Sequence, residues 1–180
     1  MSEASMQGYE DVTVYQLTKE REQELVEKQS ECNFIWTNKD GHGLGVIMNY
    51  VARNGSIWLT ATSQRARIKA LKRDPRASVV ISSMGTDMGP GKTITYKGRV
   101  VLHDDQETKD WFYPAMAQII SPYPAPTVEA AIQHLDTPLR LVLELIPEKT
   151  IAFDGDAISQ ASYDGKVPGR SEESRGGEGR

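Results

Sequence analysis

Cysteine is almost absent. Cys32 stands alone among 180 residues, which excludes an internal disulfide framework and fits a reducing compartment. No apolar run approaches the ~20 residues that a membrane helix needs. The N-terminus lacks a basic-then-apolar leader, so a cytoplasmic protein is expected. Histidine is scarce too: His42, His103 and His134 lie scattered without ligand spacing, which argues against a metal site. Positive charge is in deficit. A formal net charge of −4 argues against a dedicated nucleic-acid binder, and one domain suffices for the length.

What is present alternates between short apolar runs and turn residues. Strands are expected at 32–37, 44–51, 57–62, 77–82, 92–103 and 139–146, with a short continuation over 150–153 after Pro147. Asp40-Gly41 and Asn54-Gly55 supply hairpin turns. Thr18, Asp104 or Asp105, and Thr127 are N-cap candidates for helices over 19–30, 106–119 and 127–135. Gly98, inside the long fifth strand, suggests a bulge or a tight bend. Residues 1–14 carry little pattern and read as an arm. Residues 15–154 hold the domain, and 155–180 read as a flexible tail. Six strands joined mainly by turns point to a mainly β fold with peripheral helices, a six-stranded antiparallel barrel.

The most informative stretch runs from Ser56 to Ile81. It reads as strand, hydroxyl-rich turn, basic helix over 64–73, stop at Asp74-Pro75, and strand. Thr60, Thr62 and Ser63 precede that helix, and Arg65 and Arg67 lie in its first turn. Free N–H groups at a helix start, with guanidinium groups beside them, make an anion site. The same helix also reads as a solvated face, since Arg65, Lys69 and Lys72 share one side while Ile68 and Leu71 point inward. The stretch Thr86–Thr93 comes near a P-loop but lacks its first glycine. Lys92 moreover opens a strand rather than a helix, which argues against a nucleoside-triphosphate site. Residues 84–91 read as a glycine-rich loop.

Three pieces of wording carry a resemblance: Thr62-Ser63-Gln64-Arg65-Ala66-Arg67, then Leu71-Lys72-Arg73-Asp74-Pro75-Arg76-Ala77-Ser78, and Lys97-Gly98-Arg99 downstream. Over 32–153 the chain resembles the pyridoxamine 5′-phosphate oxidase-like superfamily of flavin- and deazaflavin-binding split β-barrels. The resemblance implies a homodimer with a cofactor, deazaflavin coenzyme or FMN, between subunits. It implies that Val46, Ile47, Met48 and Asn49 run beside the ring. Thr60, Ala61 and Thr62 would follow its edge and ribityl chain. Ser63, Arg65 and Arg67 would meet the phosphate with help from Lys69, while Lys92 and Thr93 would reach the pyrimidine end. Thr93 stands where the true oxidase tends to have glutamine. The Arg-x-His element of that oxidase has no counterpart in Asp154-Gly155-Asp156-Ala157-Ile158-Ser159, so oxidation of pyridoxamine phosphate itself is not expected.

The expected activity is hydride transfer to or from a small organic molecule, performed by the cofactor and oriented by the protein. The alternative is a non-catalytic flavin, deazaflavin or haem carrier. No acid–base pair or triad is visible, and no catalytic side chain is assigned. Tyr113, Tyr123 and the 121–126 segment read either as pocket lining or as an ordinary helix-breaking loop.

Overall fold

The computed structural model describes residues 12–163. Seven strands form one antiparallel sheet in the order β2-β1-β5-β6-β7-β4-β3. They are β1 (Glu31–Thr37), β2 (Gly43–Asn49), β3 (Val51–Arg53), β4 (Ser56–Thr62), β5 (Arg76–Ser82), β6 (Lys92–His103) and β7 (Arg140–Asp154). The helices are α1 (Lys19–Lys28), α2 (Ala66–Arg73), α3 (Gln106–Ile120), α4 (Val128–Leu135) and α5 (Gly155–Tyr163).

The sheet curls because its two ends are covalent neighbours. β2 and β3 occupy opposite edges, yet only Tyr50 separates them in the chain. Tyr50 is buried and hydrogen-bonded at both ends: its N–H donates to Ser30 O (3.2 Å) and its hydroxyl to Val26 O (2.7 Å). This corner corrects the expected strand count from six to seven. The single strand expected over 44–51 breaks at Tyr50, and its halves pair with β1 and β4 respectively. The barrel class stands.

β7 also runs unbroken through Pro147. Its register with β6 shifts between Lys97 and Gly98, a bulge that absorbs the proline's missing donor. Gly98 is required there, because a Cβ would sit 2.0 Å from Ile146 O. The hairpin glycine Gly55 has φ +79°, as a turn led by Asn54 demands. Thr18, Asp105 and Thr127 cap α1, α3 and α4, each accepting an N–H three residues on.

The expected tail is corrected over its first turns. Asp154 Oδ1 accepts from the N–H of Asp156 (3.0 Å) and of Ala157 (3.2 Å), capping α5 over residues read as unstructured. The rest of that segment, 164–180, and residues 1–11 of the arm lie outside the described residues; 12–14 form a 3-10 turn.

Two apolar clusters organise the interior. The larger fills the barrel, with Phe34, Leu59, Ile68, Val79, Ile81, Ile94 and Leu143 among its members. The smaller binds α3 and α4 to the sheet through Trp58, Phe112, Tyr113, Met116, Leu135 and Val142.

Candidate functional site

The β4–α2 connection behaves as its residues require. Ser63 N–H donates to Leu139 O (2.7 Å) and Arg65 N–H to Thr62 O (3.0 Å), so the chain turns sharply into α2. Arg65 occupies the N-cap with extended backbone, makes no side-chain cap bond, and no acidic residue follows in the first turn. The first N–H groups of a helix have no intrahelical partner. Among the described residues no carboxylate answers them, and the helix start keeps its positive end.

Arg67 carries the clearest signal. Its Nε is buried without a hydrogen-bond partner. Burial, then the neighbouring Arg65, hold its pKa below the ordinary guanidinium value. An orphaned buried donor costs free energy that an incoming acceptor would return. Arg67 borders a cavity of about 220 Å³. Met48, Asn49 and Thr60 share that cavity; Met116 and Ile120 of α3, with His134 and Leu135 of α4, complete it.

Four of the residues expected from the sequence therefore meet in one cavity: Met48, Asn49, Thr60 and Arg67. Thr60 Oγ1 donates to Leu141 O (2.8 Å) and Asn49 Nδ2 to Ser30 O (3.3 Å), which fixes both side chains. Val46 packs against the barrel core, whereas Ile47 is 64% exposed on an edge strand whose outer backbone groups have no ladder partner. Ala61 is buried in the core, leaving only its backbone for any contact. Thr62 and Ser63 form the turn, Arg65 is exposed beside it, and Lys69 projects from α2 into solvent.

Lys92 and Thr93 do not join this cavity. Lys92 is 1% exposed. Its Nζ donates to Met88 O (2.9 Å) and pairs with Asp156 on α5. The ammonium thus ties the 84–91 loop to the C-terminal helix. Thr93 lies mid-sheet, opposite Ser82 and Phe153.

Sequence reasoning missed the α3–α4 roof and Arg140. Apolar positions on an amphipathic helix look alike whether they pack or line a cavity, so Met116, Ile120 and Leu135 gave no signal. Arg140 is the cross-strand partner of Thr62. Burial lowers its pKa first, and Arg65 lowers it further, against the opposing influence of Tyr113.

This set fits a phosphate-bearing planar cofactor: an orphaned guanidinium N–H and an uncapped helix start for the anion, and an apolar cavity beside them. A search of curated protein sequences returns no match. Among solved structures, the chain is similar to a conserved hypothetical protein from Mycobacterium tuberculosis (17% identity, TM-score 0.66, covering 78% of this chain and 86% of that one). It is similar to an FAD-binding protein from Mesorhizobium loti (15%, 0.57, 76% and 94%) and to an F-420 reductase (15%, 0.55, 72% and 94%). At such identities these likenesses speak for the fold. The family described as Pyridoxamine 5′-phosphate oxidase matches residues 18–153, three quarters of the chain, and the protein belongs to that family.

Proposed function

We propose that this protein is an oxidoreductase that binds a flavin-type cofactor and passes hydride to or from a small organic molecule. The deazaflavin coenzyme is the favoured cofactor and FMN the second choice. The single observation that carries this reading is the buried, unpartnered Arg67 Nε bordering a cavity shared with Met48, Asn49 and Thr60. The cofactor, when bound, supplies the redox chemistry. The chain's residues bind and aim it. Arg65, Arg67 and the α2 N–H groups hold the phosphate, the β2 edge offers backbone groups to the ring, and α3 and α4 keep water from one side. The cleft is completed by a second copy of the chain, in a cytoplasmic homodimer.

A second reading, a carrier without turnover, is favoured by one particular: the Mesorhizobium loti likeness is named for binding alone. One experiment addresses both. The absorption spectrum and mass of the copurifying chromophore distinguish flavin, deazaflavin and haem. Reoxidation of the reduced cofactor is then followed with and without a panel of electron-poor acceptors; acceleration supports the enzyme, and none across the panel supports the carrier. The double variant Arg65→Ala/Arg67→Ala is expected to weaken binding, each charge-assisted hydrogen bond contributing about 1.5–3 kcal/mol. Unchanged affinity in a fluorescence titration would remove the phosphate from α2.

A further inference from the structure

A third arginine stands at the α2 corner beside Arg65 and Arg67. Arg140 opens β7 directly across from Thr62, and the N–H of Ser63 is bonded to the carbonyl of the preceding Leu139. Arg140 therefore stands beside the turn from which Arg65 and Arg67 rise. Its guanidinium is held by two carbonyls at the end of α4: Nε donates to Leu135 O and Nη2 to His134 O, both at 3.2 Å. His134 and Leu135 themselves border the cavity of Arg67. The remaining N–H groups of Arg140 have no acceptor among the described residues. No carboxylate there pairs with Arg65, Arg67 or Arg140.

Tyr113 supplies an independent observation. It is 4% exposed, and its hydroxyl is buried without a hydrogen-bond partner. Burial raises its pKa, with Asp136 adding to the effect and Arg140 opposing it. Asp136, at the end of α4, is the acidic group near it. A buried phenol without a partner is uncommon in a folded interior, and it packs in the same cluster as Met116 and Leu135, which line the cavity.

We propose that Arg140 and Tyr113 form a second anion-binding position next to the α2 terminus, so that the cofactor held here carries two acidic groups in succession along its tail. This rests on the cofactor reading above and narrows it. A phosphate monoester has one acidic group, which Arg65, Arg67 and the helix N–H groups satisfy. A diphosphate, or a phosphodiester followed by an acidic extension, presents a second, and Arg140 with the Tyr113 hydroxyl receives it.

The test titrates the full-length protein with FMN, FAD and the deazaflavin coenzyme F-420, in wild type and in Arg140→Gln, Arg140→Lys and Tyr113→Phe. Wild type is expected to bind FAD or F-420 roughly ten-fold tighter than FMN or better, the worth of one charge-assisted hydrogen bond. Arg140→Gln abolishes that preference while leaving FMN affinity unchanged, Arg140→Lys recovers part of it, and Tyr113→Phe lowers it without changing FMN. FMN binding as tightly as both longer cofactors overturns the proposal, as does an equal loss for all three in Arg140→Gln. Failure of all three to bind wild type overturns the flavin reading as well; binding of FMN alone overturns only the second position. If Arg140→Gln does not fold, Tyr113→Phe decides, since unchanged selectivity in that variant refutes the claim.

Discussion

Cys32 illustrates how burial alone sets a residue's chemistry. It is 3% exposed on β1, and burial, with a smaller contribution from Glu31, pushes its thiol from the ordinary 9.0 up to about 12. The raised value means the folded protein holds the proton longer than the unfolded chain does. Its stabilising effect is complete below pH 9 and is lost between pH 9 and about 12. Cys32→Ala is therefore expected to flatten the alkaline limb of the stability curve, measured by urea melts across that window. The native thiol should resist labelling by a disulfide reagent at neutral pH, and rapid labelling of folded protein would contradict the assignment. Lys92 makes the complementary point. Its Nζ is engaged by Met88 O and the Asp156 carboxylate, so Lys92→Met should cost about 1–3 kcal/mol of stability through the acceptors left without their donor. Cofactor affinity should stay unchanged; a large loss of affinity without destabilisation would return Lys92 to the binding site. No sequence pattern announces this role, because one acceptor is a backbone carbonyl, which every residue has, and the other, the Asp156 carboxylate, lies far along the chain.

At the scale of elements, the strand bulge and the barrel corner are the places where one side chain decides the geometry. Gly98→Ala puts a methyl group into Ile146 O at the β6–β7 bulge, and either the bulge or the pairing must shift. A loss of roughly 3 kcal/mol is expected in chemical denaturation, and a wild-type midpoint would mean that the bulge is slack. Tyr50→Phe removes only the hydrogen bond to Val26 O and should cost about 1 kcal/mol, with no change in fold by circular dichroism. These two positions also mark what was legible in the sequence. Gly98 announced a bulge because glycine within β-branched residues has few other uses. The end of the α2 segment was legible, since Asp74-Pro75 stops it; its start was not, because the helix expected from 64 begins at Ala66 with Arg65 as an N-cap that makes no side-chain cap bond. Tyr50 was not legible, because Leu44 to Val51 keeps strand character on both sides and only the pairing partners change. Pro147 hid the continuity of β7, since a proline reads as an end unless a bulge faces it. The role of Arg140 depends on which strand lies beside β4. That is settled by a pairing across some eighty residues rather than by anything near either strand.

For the molecule as a whole, the β2 edge is the face that would tie association to the cofactor site. β2 pairs only with β1 and presents Leu44 and Ile47, 42% and 64% exposed. A bare apolar edge invites pairing with another chain unless something blunts it. Here Met48 and Asn49 of the same strand border the candidate cofactor cavity. If a second copy of the chain covers this edge, one face serves both association and cofactor retention, and the two properties must fail together. Ile47→Lys tests that coupling. At a solvent-exposed position such a change alters protomer stability by about 0.5 kcal/mol or less. In a subunit interface it buries a charge without a partner. The variant is expected to keep its thermal transition, to shift from dimer to monomer mass in light scattering, and to lose cofactor affinity in the same concentration range in which the dimer dissociates. A variant that stays dimeric and holds its cofactor as wild type does would place the subunit contact elsewhere on the barrel. A variant that becomes monomeric yet retains full affinity would show that each protomer closes its own cleft, with α3 and α4 as its walls.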